Sequence, residues 1–449
     1  MSRLWDKGEA LDAAVARLTV GRDPELDLRL VPYDALASAA HGKMLVRIGI
    51  LTDEEAADLL DELKGIAEDA AAGRFAIDPA DEDGHTAIEN RLTSRLGDAG
   101  RKIHTGRSRN DQVIAALRLW GRAALLDFTE QLLAVVAVLS DLASEHAATS
   151  VPGYTHGRQA MTTTLGHYFA AFAESLLDHL PWIDAAWKHL DRSPLGSASG
   201  YGVALPLDRE YVAELLGFDR VQSNTLAVQN DRGRTEAMVL GVVAAAVTDL
   251  GRLARDLISY SSEEMGFVRL AVETTTGSSI MPQKRNPDPL EIVRAAAVRC
   301  RHLVAQIGDT YGGVGAGYHR DLQLTKEPFL EGMILATDCC TAMASVLAAL
   351  EVDVERCRAA IEPAAAATDA VYREVRAGTP FREAYRKIGR DPQGAYRGEP
   401  AASWRERTHR GAPGDPNGGG TDPRHAAGLA WHDERREKLA AAWDRLVAG

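Results

Sequence analysis

The sequence predicts an all-α protein: a bundle of long central helices flanked by two smaller, mostly helical domains. No proline lies between Arg107 and Val151 or between Leu207 and Met281, and gaps of this length allow very long helices. Apolar residues recur at helical spacing inside these gaps, as in TDLGRLARDLISY. No convincing run of alternating polar and apolar residues predicts a sheet, and a hydrophobic content of 45% is enough for a sizeable core.

Three domains follow from the same pattern. Residues 1–105 should form shorter helices, one of them capped by Thr52 with Glu55 three positions later. Residues 106–355 should form the bundle, with helices predicted over 110–147, 288–306 and 328–349; the first would be roughly 55 Å long at 1.5 Å per residue. Residues 356–449 are more irregular, and GAPGDPNGGGTDP within them is predicted to be a mobile loop.

The bulk composition narrows the class of function. A net charge of -13 argues against a nucleic-acid surface, which needs a basic footprint, but a local basic pocket can still bind a small anion. Four cysteines, at positions 300, 339, 340 and 357, lack metal-binding spacing and are expected to be buried, reduced thiols. The chain begins without an apolar signal segment, and we expect no apolar run long enough to span a bilayer. We therefore expect a cytoplasmic protein.

Six polar segments lie between the predicted helices. They are YDALASAAHGKML (33–45), RKIHTGRSRNDQV (101–113), VPGYTHGRQA (151–160), QNDRGRTE (229–236), GSSIMPQKRNPDPLE (277–291) and GYHRDLQLTKEP (317–328). Each lies near a predicted helix end, where free N–H groups favour anions. Basic residues are found in the same segments: Arg107, Arg109, Arg232, Lys284, Arg285 and Lys326. If these segments converge, they form a basic pocket suited to a carboxylate substrate.

These segments resemble a known enzyme family. GSSIMPQKRNP resembles the signature of the fumarase/aspartase superfamily, and KIHTGRSRNDQV, PGYTH and MPQK resemble its argininosuccinate lyase branch. The match spans nearly the whole chain, from LWDKGEALDAAVARLTVGRD to THRGAPGDPN, in the order of the family. The resemblance implies a homotetramer whose sites are each assembled from several subunits. It implies no metal and no organic cofactor.

The resemblance also implies the reaction, a β-elimination that cleaves a C–N bond and releases fumarate and an amine or guanidine, arginine in that branch. Ser278 matches the catalytic base, which Gly277 and Lys284 would help to activate. The loop around it is expected to be a mobile lid. His156 matches the acid or its relay, and Glu291 matches the carboxylate that pairs with that histidine.

Family positions for substrate binding also have counterparts. The succinyl carboxylates and neighbouring groups would be held by Ser38, Arg109, Asn110, Thr155 and Asn286, and the amino-acid end by Tyr318, Gln323 and Lys326. Arginine suits bidentate carboxylate binding. His85 and His104 are either site wall or structural support. Arg232 is expected to stabilise the architecture and to border the pocket at most.

Several positions depart from the family pattern. After PGYTH the family usually has Leu-Gln-Arg-Ala-Gln-Pro, but this chain has Gly157, Arg158, Gln159, Ala160, Met161 and Thr162. Further departures are Gly84, Ala115 and Ala116, and the segment 227–233. They leave three possibilities: cleavage of argininosuccinate, the same elimination on another N-substituted aspartate, and a structural or binding protein on this fold. Intact Ser278 and His156 argue against the third, and RSRNDQ argues against a purine-succinate substrate.

Overall fold

The computed structural model describes residues 12–78, 80–415 and 422–448. The α-helices in this part are α1 (Ala13–Val20), α2 (Asp23–Asp27), α3 (Val31–Arg47), α4 (Asp53–Ala71), α5 (Gly84–Leu96), α6 (Asp98–Lys102), α7 (Arg109–Glu145), α8 (Leu165–Leu177), α9 (Leu180–Leu190), α10 (Arg209–Leu215), α11 (Thr225–Asn230), α12 (Arg234–Tyr260), α13 (Asp288–Gly312), α14 (Lys326–Ala348), α15 (Val354–Ala359), α16 (Ala367–Arg376), α17 (Phe381–Ile388) and α18 (Pro423–Val447). Residues 4–11 of the first family motif and 416–421 of the predicted mobile loop lie outside the described residues.

Strands are short and few in the described ranges. They are β1 (Ser150–Thr155), β2 (Arg158–Thr164), β3 (Arg192–Ser193), β4 (Arg220–Val221), β5 (Val268–Arg269), β6 (Thr276–Gly277), β7 (Arg285–Asn286) and β8 (Glu351–Val352). They form two-stranded pairs: β1 with β2, β3 with β4, β5 with β8, and β6 with β7. The longest pair, β1–β2, was not predicted, because a proline and glycines interrupt the alternation of polar and apolar residues in its strands. The all-α class is confirmed by the rest of the fold.

The core of the molecule is the bundle of α7, α12, α13 and α14, against which α8 and α9 pack. The three helices predicted for this region are present, and their ends differ from the predicted ones by at most six residues. Close packing requires small residues at some crossings. A side chain at Gly332 would place its Cβ only 2.6 Å from Leu240 of α12. Nearby, the rings of Trp120 and Phe329 meet edge to face at 5.6 Å.

Capping residues fix where two important helices begin. Before α7, the Ser108 hydroxyl accepts from the backbone N–H of Asn110 at 3.3 Å, and Asp111 accepts from the Ser108 N–H at 3.0 Å. The predicted cap of α4 is confirmed in the same way, because Thr52 and Glu55 bond reciprocally at 3.2 and 3.0 Å. The cap of α7 places Arg109 and Asn110 in the first turn of the longest helix.

The bundle has two functionally distinct ends. The N-termini of α7, α12 and α14 lie together at one end, which we call the pocket end, with the segment 317–325 that follows α13. α13 runs in the opposite direction, and its N-terminus lies at the other end with the β5–β8 pair. The β1–β2 hairpin and the loop 276–287 also belong to this second end, which we call the loop end.

Flanking regions pack on both sides of the bundle. Helices α3 to α5 build a second apolar core to which α7, α10 and Leu446 of α18 contribute. Helix α18 therefore lies along α7 and reaches the N-terminal core. A small separate cluster joins Ala370, Val371, Ala384 and Ile388. The domain boundaries near residues 105 and 355 stay a prediction.

The expectation that no apolar run is long enough to span a bilayer is wrong. Helices Arg109–Glu145 and Arg234–Tyr260 and the helical stretch Arg320–Ala348 are each long and apolar enough by length and composition. About half of each apolar window, 56%, 56% and 50%, is buried among the described residues. The sequence-based expectation failed because these helices contact one another on several faces and are apolar there. The prediction of buried free thiols is confirmed for the four cysteines.

Candidate active site

A cavity of about 230 Å³ opens at the pocket end of the bundle. It brings together five of the eight predicted substrate-binding residues, which are Arg109, Asn110, Tyr318, Gln323 and Lys326. Two residues whose role the sequence left open, His85 and Arg232, also line it. Three of the six polar segments of the sequence therefore converge where the N-termini of α7 and α14 meet.

Lys326 is a deeply buried cation of this wall. Its ammonium group lies 3.0 Å from Asp23 and also donates to Asp27, and only 2% of the residue is exposed. Burial alone would lower the pKa of Lys326, but two facing carboxylates raise it. Burial raises the pKa of Asp23, and the second carboxylate, on Asp27, adds to this effect. The carboxylates thus raise the pKa of Lys326, whereas burial is the main cause of the raised pKa of Asp23 and the ammonium group opposes it.

Arg109 is oriented by a second acidic pair. Its guanidinium donates to Asp83 at 2.8 Å and to Glu82 at 3.4 Å. Burial would raise the pKa of Asp83, but attraction to His85 and Arg109 outweighs it, so that carboxyl group stays ionised more readily than usual. The Arg109 side chain is 24% exposed, so part of the guanidinium is accessible from the cavity.

His85 is held as a cation beneath the cavity. Its Nδ1 lies 2.5 Å from Asp34, a carboxylate that is itself buried. Burial would lower the pKa of His85, but the charge and hydrogen bond of Asp34 raise it to about 9. At neutral pH the imidazole is therefore protonated. Of the two possibilities left open by the sequence, the cavity geometry favours the site wall for His85.

The 3₁₀ turn Arg320–Thr325 forms another wall of the cavity. Gln323 donates to the carbonyls of Thr19 and Val20 at 3.1 Å, and Arg320 donates to Thr19 at 2.6 Å. The end of α1 therefore fixes the turn that presents Tyr318 and Gln323 to the cavity. Among the described residues, the Gln323 amide nitrogen is thus already engaged with backbone.

The cavity also contains functional groups that the sequence did not assign. These are Asp23, Asp27, Glu82, Asp83 and Arg320. Part of their signal was visible, because Asp23 ends the motif LWDKGEALDAAVARLTVGRD, and Glu82 and Asp83 belong to EDGH, which was compared with the family. The four carboxylates were not assigned because single acidic residues are usually solvated. Only the fold shows that they lie against the cations of the cavity wall. Arg232 lines the cavity and pairs with Glu236 at 3.5 Å, so it has both of the roles considered for it.

At the loop end, His156 stands at the tip of the β1–β2 hairpin. Thr155 pairs with Arg158, which leaves His156 and Gly157 as a two-residue turn. Both have positive φ, +55° and +70°, the left-handed conformation that type I′ hairpin turns require. The turn thus projects Thr155 and His156 outward, and both residues are exposed.

Ser278 lies in the loop between β6 and β7. Its Oγ accepts hydrogen bonds from the backbone N–H groups of Ile280 and Met281, at 3.3 and 3.1 Å. Two N–H donors at one hydroxyl oxygen favour its deprotonated form. Asn286 closes the base of the loop by donating to the Gly277 carbonyl at 3.4 Å. The loop is a polar, exposed excursion before α13.

The remaining predicted residues lie apart from the cavity. Lys284 is exposed and has no ion pair within the described residues. Glu291 is exposed in the first turn of α13, 3.7 Å from Arg294, and has no contact with His156 in the described part of this chain. Ser38 is buried and receives a hydrogen bond from Arg107 at 2.8 Å, and His104 lies 3.2 Å from Glu89. The roles given to these residues, like those of all the predicted site residues, stay predictions.

The two groups of residues are separated by the length of α13. Glu291 lies in its first turn, and Tyr318 follows its last residue, Gly312. Twenty-five helical residues at 1.5 Å each span about 37 Å. A small substrate cannot bridge that distance. Within one chain, the cavity residues and the loop-end residues therefore cannot contact the same small substrate.

Comparison with known proteins identifies the family. Residues 19–301 match a protein family described as lyase. An argininosuccinate lyase from Sorangium cellulosum (strain So ce56) is 44% identical over 413 residues, which cover 92% of this chain and 96% of that protein. The chain belongs to the argininosuccinate lyase family. This confirms the resemblance found in the sequence.

Solved structures share the fold of this family member. An EDDS lyase in complex with formate has a TM-score of 0.82 at 26% identity, covering 98% of this chain and 95% of that one. A class II fumarase from Schistosoma mansoni has a TM-score of 0.73 at 14% identity, covering 86% and 94%, and shows the fold alone. The predicted fumarase-like architecture is confirmed.

The described residues of this lyase-family chain contain no group of three or more His, Cys, Asp or Glu side chains placed to hold a metal ion. The absence of a cofactor stays a prediction. The wall of the cavity carries fixed charges of both signs. Such a wall is suited to a ligand that carries carboxylates and a cationic group together.

Proposed function

We propose that this chain cleaves argininosuccinate by β-elimination to fumarate and arginine. The observation that supports this most directly is the convergence of Arg109, Asn110, Tyr318, Gln323 and Lys326 on one cavity of mixed charge. Family membership over 92% of the chain supports the reaction class, a carbon–nitrogen lyase. The substrate has carboxylates at one end and an amino-acid group at the other, and the cavity has partners for both.

Ser278 acts as the base in this proposal. As an alkoxide it removes a proton from the carbon next to a carboxylate, and the C–N bond breaks with its electron pair leaving on nitrogen. The N–H groups of Ile280 and Met281 lower the cost of the alkoxide. Lys284, six residues along the same loop, adds positive charge. His156, oriented by Glu291, protonates the departing nitrogen directly or through a relay.

Substrate binding is divided between the two ends of the bundle. Arg109 and Asn110, with Ser38, Thr155 and Asn286, hold the succinyl carboxylates and their neighbouring groups. Tyr318, Gln323 and Lys326 hold the amino-acid end. The acidic partners of Lys326 keep it charged and fixed, so that it binds a carboxylate without moving.

The active unit in this proposal is a homotetramer with sites shared between subunits. Its support is the separation of about 37 Å along α13, which leaves Ser278 and His156 far from the cavity of their own chain. A second support is the outer face of α13, where Ile292 and Val298 are 63% and 46% exposed. Further chains packed on this face would cover it and bring their cavities to these loops.

A mixing experiment tests the shared site. Ser278→Ala, at the loop end, and Arg109→Ala, in the cavity, are each expected to be inactive alone. Denatured together and refolded, they should regain part of the activity, because some sites then receive both intact groups. No recovery from well-folded mixed oligomers, or a stable and active monomer in light scattering, would contradict the proposal.

Fumarate release from argininosuccinate, followed by ultraviolet absorbance, tests the reaction itself. A turnover of about 1 s⁻¹ or more, within the usual range of enzymes, is expected. EDTA should leave the rate unchanged, since the proposal includes no metal or organic cofactor. Absence of fumarate from a folded oligomer would contradict cleavage of argininosuccinate.

The second candidate is the same elimination on another N-substituted aspartate. Two observations favour it: the closely similar fold belongs to a protein named for a different substrate, EDDS, and the hairpin departs from the family after His156. Running the reaction in reverse, with fumarate and a panel of amines, discriminates between them. A non-catalytic structural role is opposed by the intact Ser278 loop and His156 turn.

The cellular setting completes the proposal. We place the protein in the cytoplasm, with a small-molecule substrate and without nucleic-acid or membrane partners, in arginine biosynthesis. The net charge of -13 disfavours nucleic acid, and the apolar faces of α7, α12 and α14 are directed largely at one another. Fractionation of cells that express the protein tests this placement.

A further inference from the structure

Gln159 attaches the tip of the His156 hairpin to a segment that is remote in sequence. Its Nε2 donates to the Ala360 carbonyl at 2.7 Å, and its Oε1 accepts from the backbone N–H of Glu362 at 3.1 Å. Both ends of one side-chain amide therefore bond to one short stretch of backbone. Two hydrogen bonds from one side chain fix the orientation of the hairpin tip as well as its distance from residues 360–362.

The other hydrogen bonds from the hairpin to remote segments lie at its base. Trp404 donates to Ser150 at 2.9 Å, Thr162 donates to the Pro400 carbonyl at 3.1 Å, and Arg407 donates to the Thr162 carbonyl. In the described part of the chain, Gln159 is the side chain that hydrogen-bonds the outer half of the hairpin, 154–159, to another element. It lies directly across from Tyr154 and three residues after His156.

The segment that receives Gln159 is itself firmly held. Asp353 caps α15 by accepting from the Arg356 N–H at 2.9 Å. The Arg356 guanidinium donates to the carbonyls of Met265 and Glu264 at 3.0 and 2.7 Å. Just before it, β8 pairs with β5. Residues 360–362 are thus a fixed support, and the outer hairpin depends on Gln159 to reach it.

The contact matters because the His156 turn is short and exposed. Without an anchor, the exposed tip of a two-stranded hairpin can tilt as a whole. We propose that Gln159 is a positioning residue, which holds His156 where proton transfer to the departing nitrogen requires the imidazole. This inference rests on the proposed function. The family usually has arginine at this position, and arginine cannot accept from the Glu362 N–H, since it has donors alone.

Steady-state kinetics of Gln159→Ala test the role. We expect kcat to fall roughly 10- to 100-fold, because small displacements of a catalytic group have effects of this size. The KM should stay within about two-fold, because the anchor affects proton transfer more than binding. Gln159→Glu keeps the acceptor for Glu362 but sets a carboxylate against the Ala360 carbonyl, and kcat should fall here too. The matched control is Gln393→Ala, at an exposed glutamine with no side-chain hydrogen bond among the described residues.

A double-mutant cycle distinguishes positioning from general support. In the His156→Asn background, Gln159→Ala should have no further effect on residual turnover, because it acts through the imidazole. An equal loss in both backgrounds, or unchanged kcat in Gln159→Ala, overturns the inference. If the unaltered protein itself releases no fumarate, the proposed function fails and the role of Gln159 fails with it. Thermal unfolding of each variant checks that the fold is retained.

Discussion

The pocket end and the loop end of the bundle differ in how their charged and polar groups are satisfied. At the pocket end, Lys326, Arg109 and His85 each lie against carboxylates of the same chain. At the loop end, His156 and Lys284 are exposed and have no ion pair among the described residues. The first end is preorganised within one chain, whereas the second presents reactive groups outward. The two ends thus differ in how their charges are compensated, and the following variants test that difference.

The largest effect is expected at the loop end, from Ser278→Ala. Loss of the base should lower kcat by roughly 1,000-fold, and the free energy of unfolding should hardly change, since the hydroxyl is bonded only within its own loop. Fumarate release and urea unfolding measure the two quantities. The matched control is the adjacent Ser279→Ala, which should keep most of the activity. Near-normal turnover of Ser278→Ala would remove this residue as the base.

Lys326→Met should produce the opposite pattern at the pocket end. Without the ammonium group, Asp23 and Asp27 face each other in a buried place without a counter-charge. Loss of one partner of a buried ion pair typically costs about 3–5 kcal/mol of stability. Urea unfolding measures this decrease in the free energy of unfolding. Adding Asp23→Asn to Lys326→Met should restore part of it. A change below about 0.5 kcal/mol would show that the pair is not buried in solution.

The pH dependence of stability tests His85. Its folded pKa, about 9, lies above the ordinary value of 6.5 for histidine, so the stabilisation is complete below pH 6.5 and is lost as pH rises through 9. The loss amounts to about 3 kcal/mol between those limits. His85→Gln and Asp34→Asn should each flatten this dependence in urea unfolding at pH 6 and pH 9.5. If either variant retained the full pH dependence of the free energy of unfolding, groups other than His85 and Asp34 would be responsible for it.

The smallest effect is expected for an ion pair at the loop end. Arg269 lies 3.1 Å from Asp353, and its side chain is 70% exposed. Exposed pairs contribute at most about 1 kcal/mol, so Arg269→Ala should unfold at nearly the same urea concentration as the unaltered protein. A loss as large as that of Lys326→Met would contradict the distinction between the two ends.

The sequence predicted the helices better than the site. Proline gaps and apolar periodicity placed α7, α13 and α14 within a few residues, because both signals act over many turns. The β1–β2 hairpin was missed, because its strands are short and its turn depends on two left-handed residues, His156 and Gly157. The pattern of residues along the sequence does not reveal such a turn, because the turn is defined by which residues of β1 and β2 pair.

Within the cavity, most of the basic residues were singled out from the sequence, Arg320 being the exception, and the acidic ones were not. Arg109 and Lys326 were found because unusual cations near helix ends suggest anion binding. Asp23, Asp27, Glu82 and Asp83 resemble ordinary surface acids until the fold brings them against those cations. The resemblance implied sites shared between subunits, but the distance between the two groups of predicted residues within one chain depends on the direction of α13 and could not be read from the sequence.

The length of α13 also has a consequence for handling the protein. If a complete site needs groups from more than one copy, a free chain contains pieces of several sites and no whole one. Specific activity should then fall on dilution, as the assembly dissociates, and return after a delay when the solution is concentrated. Assays at nanomolar and micromolar protein would differ in rate per chain, although every chain is folded.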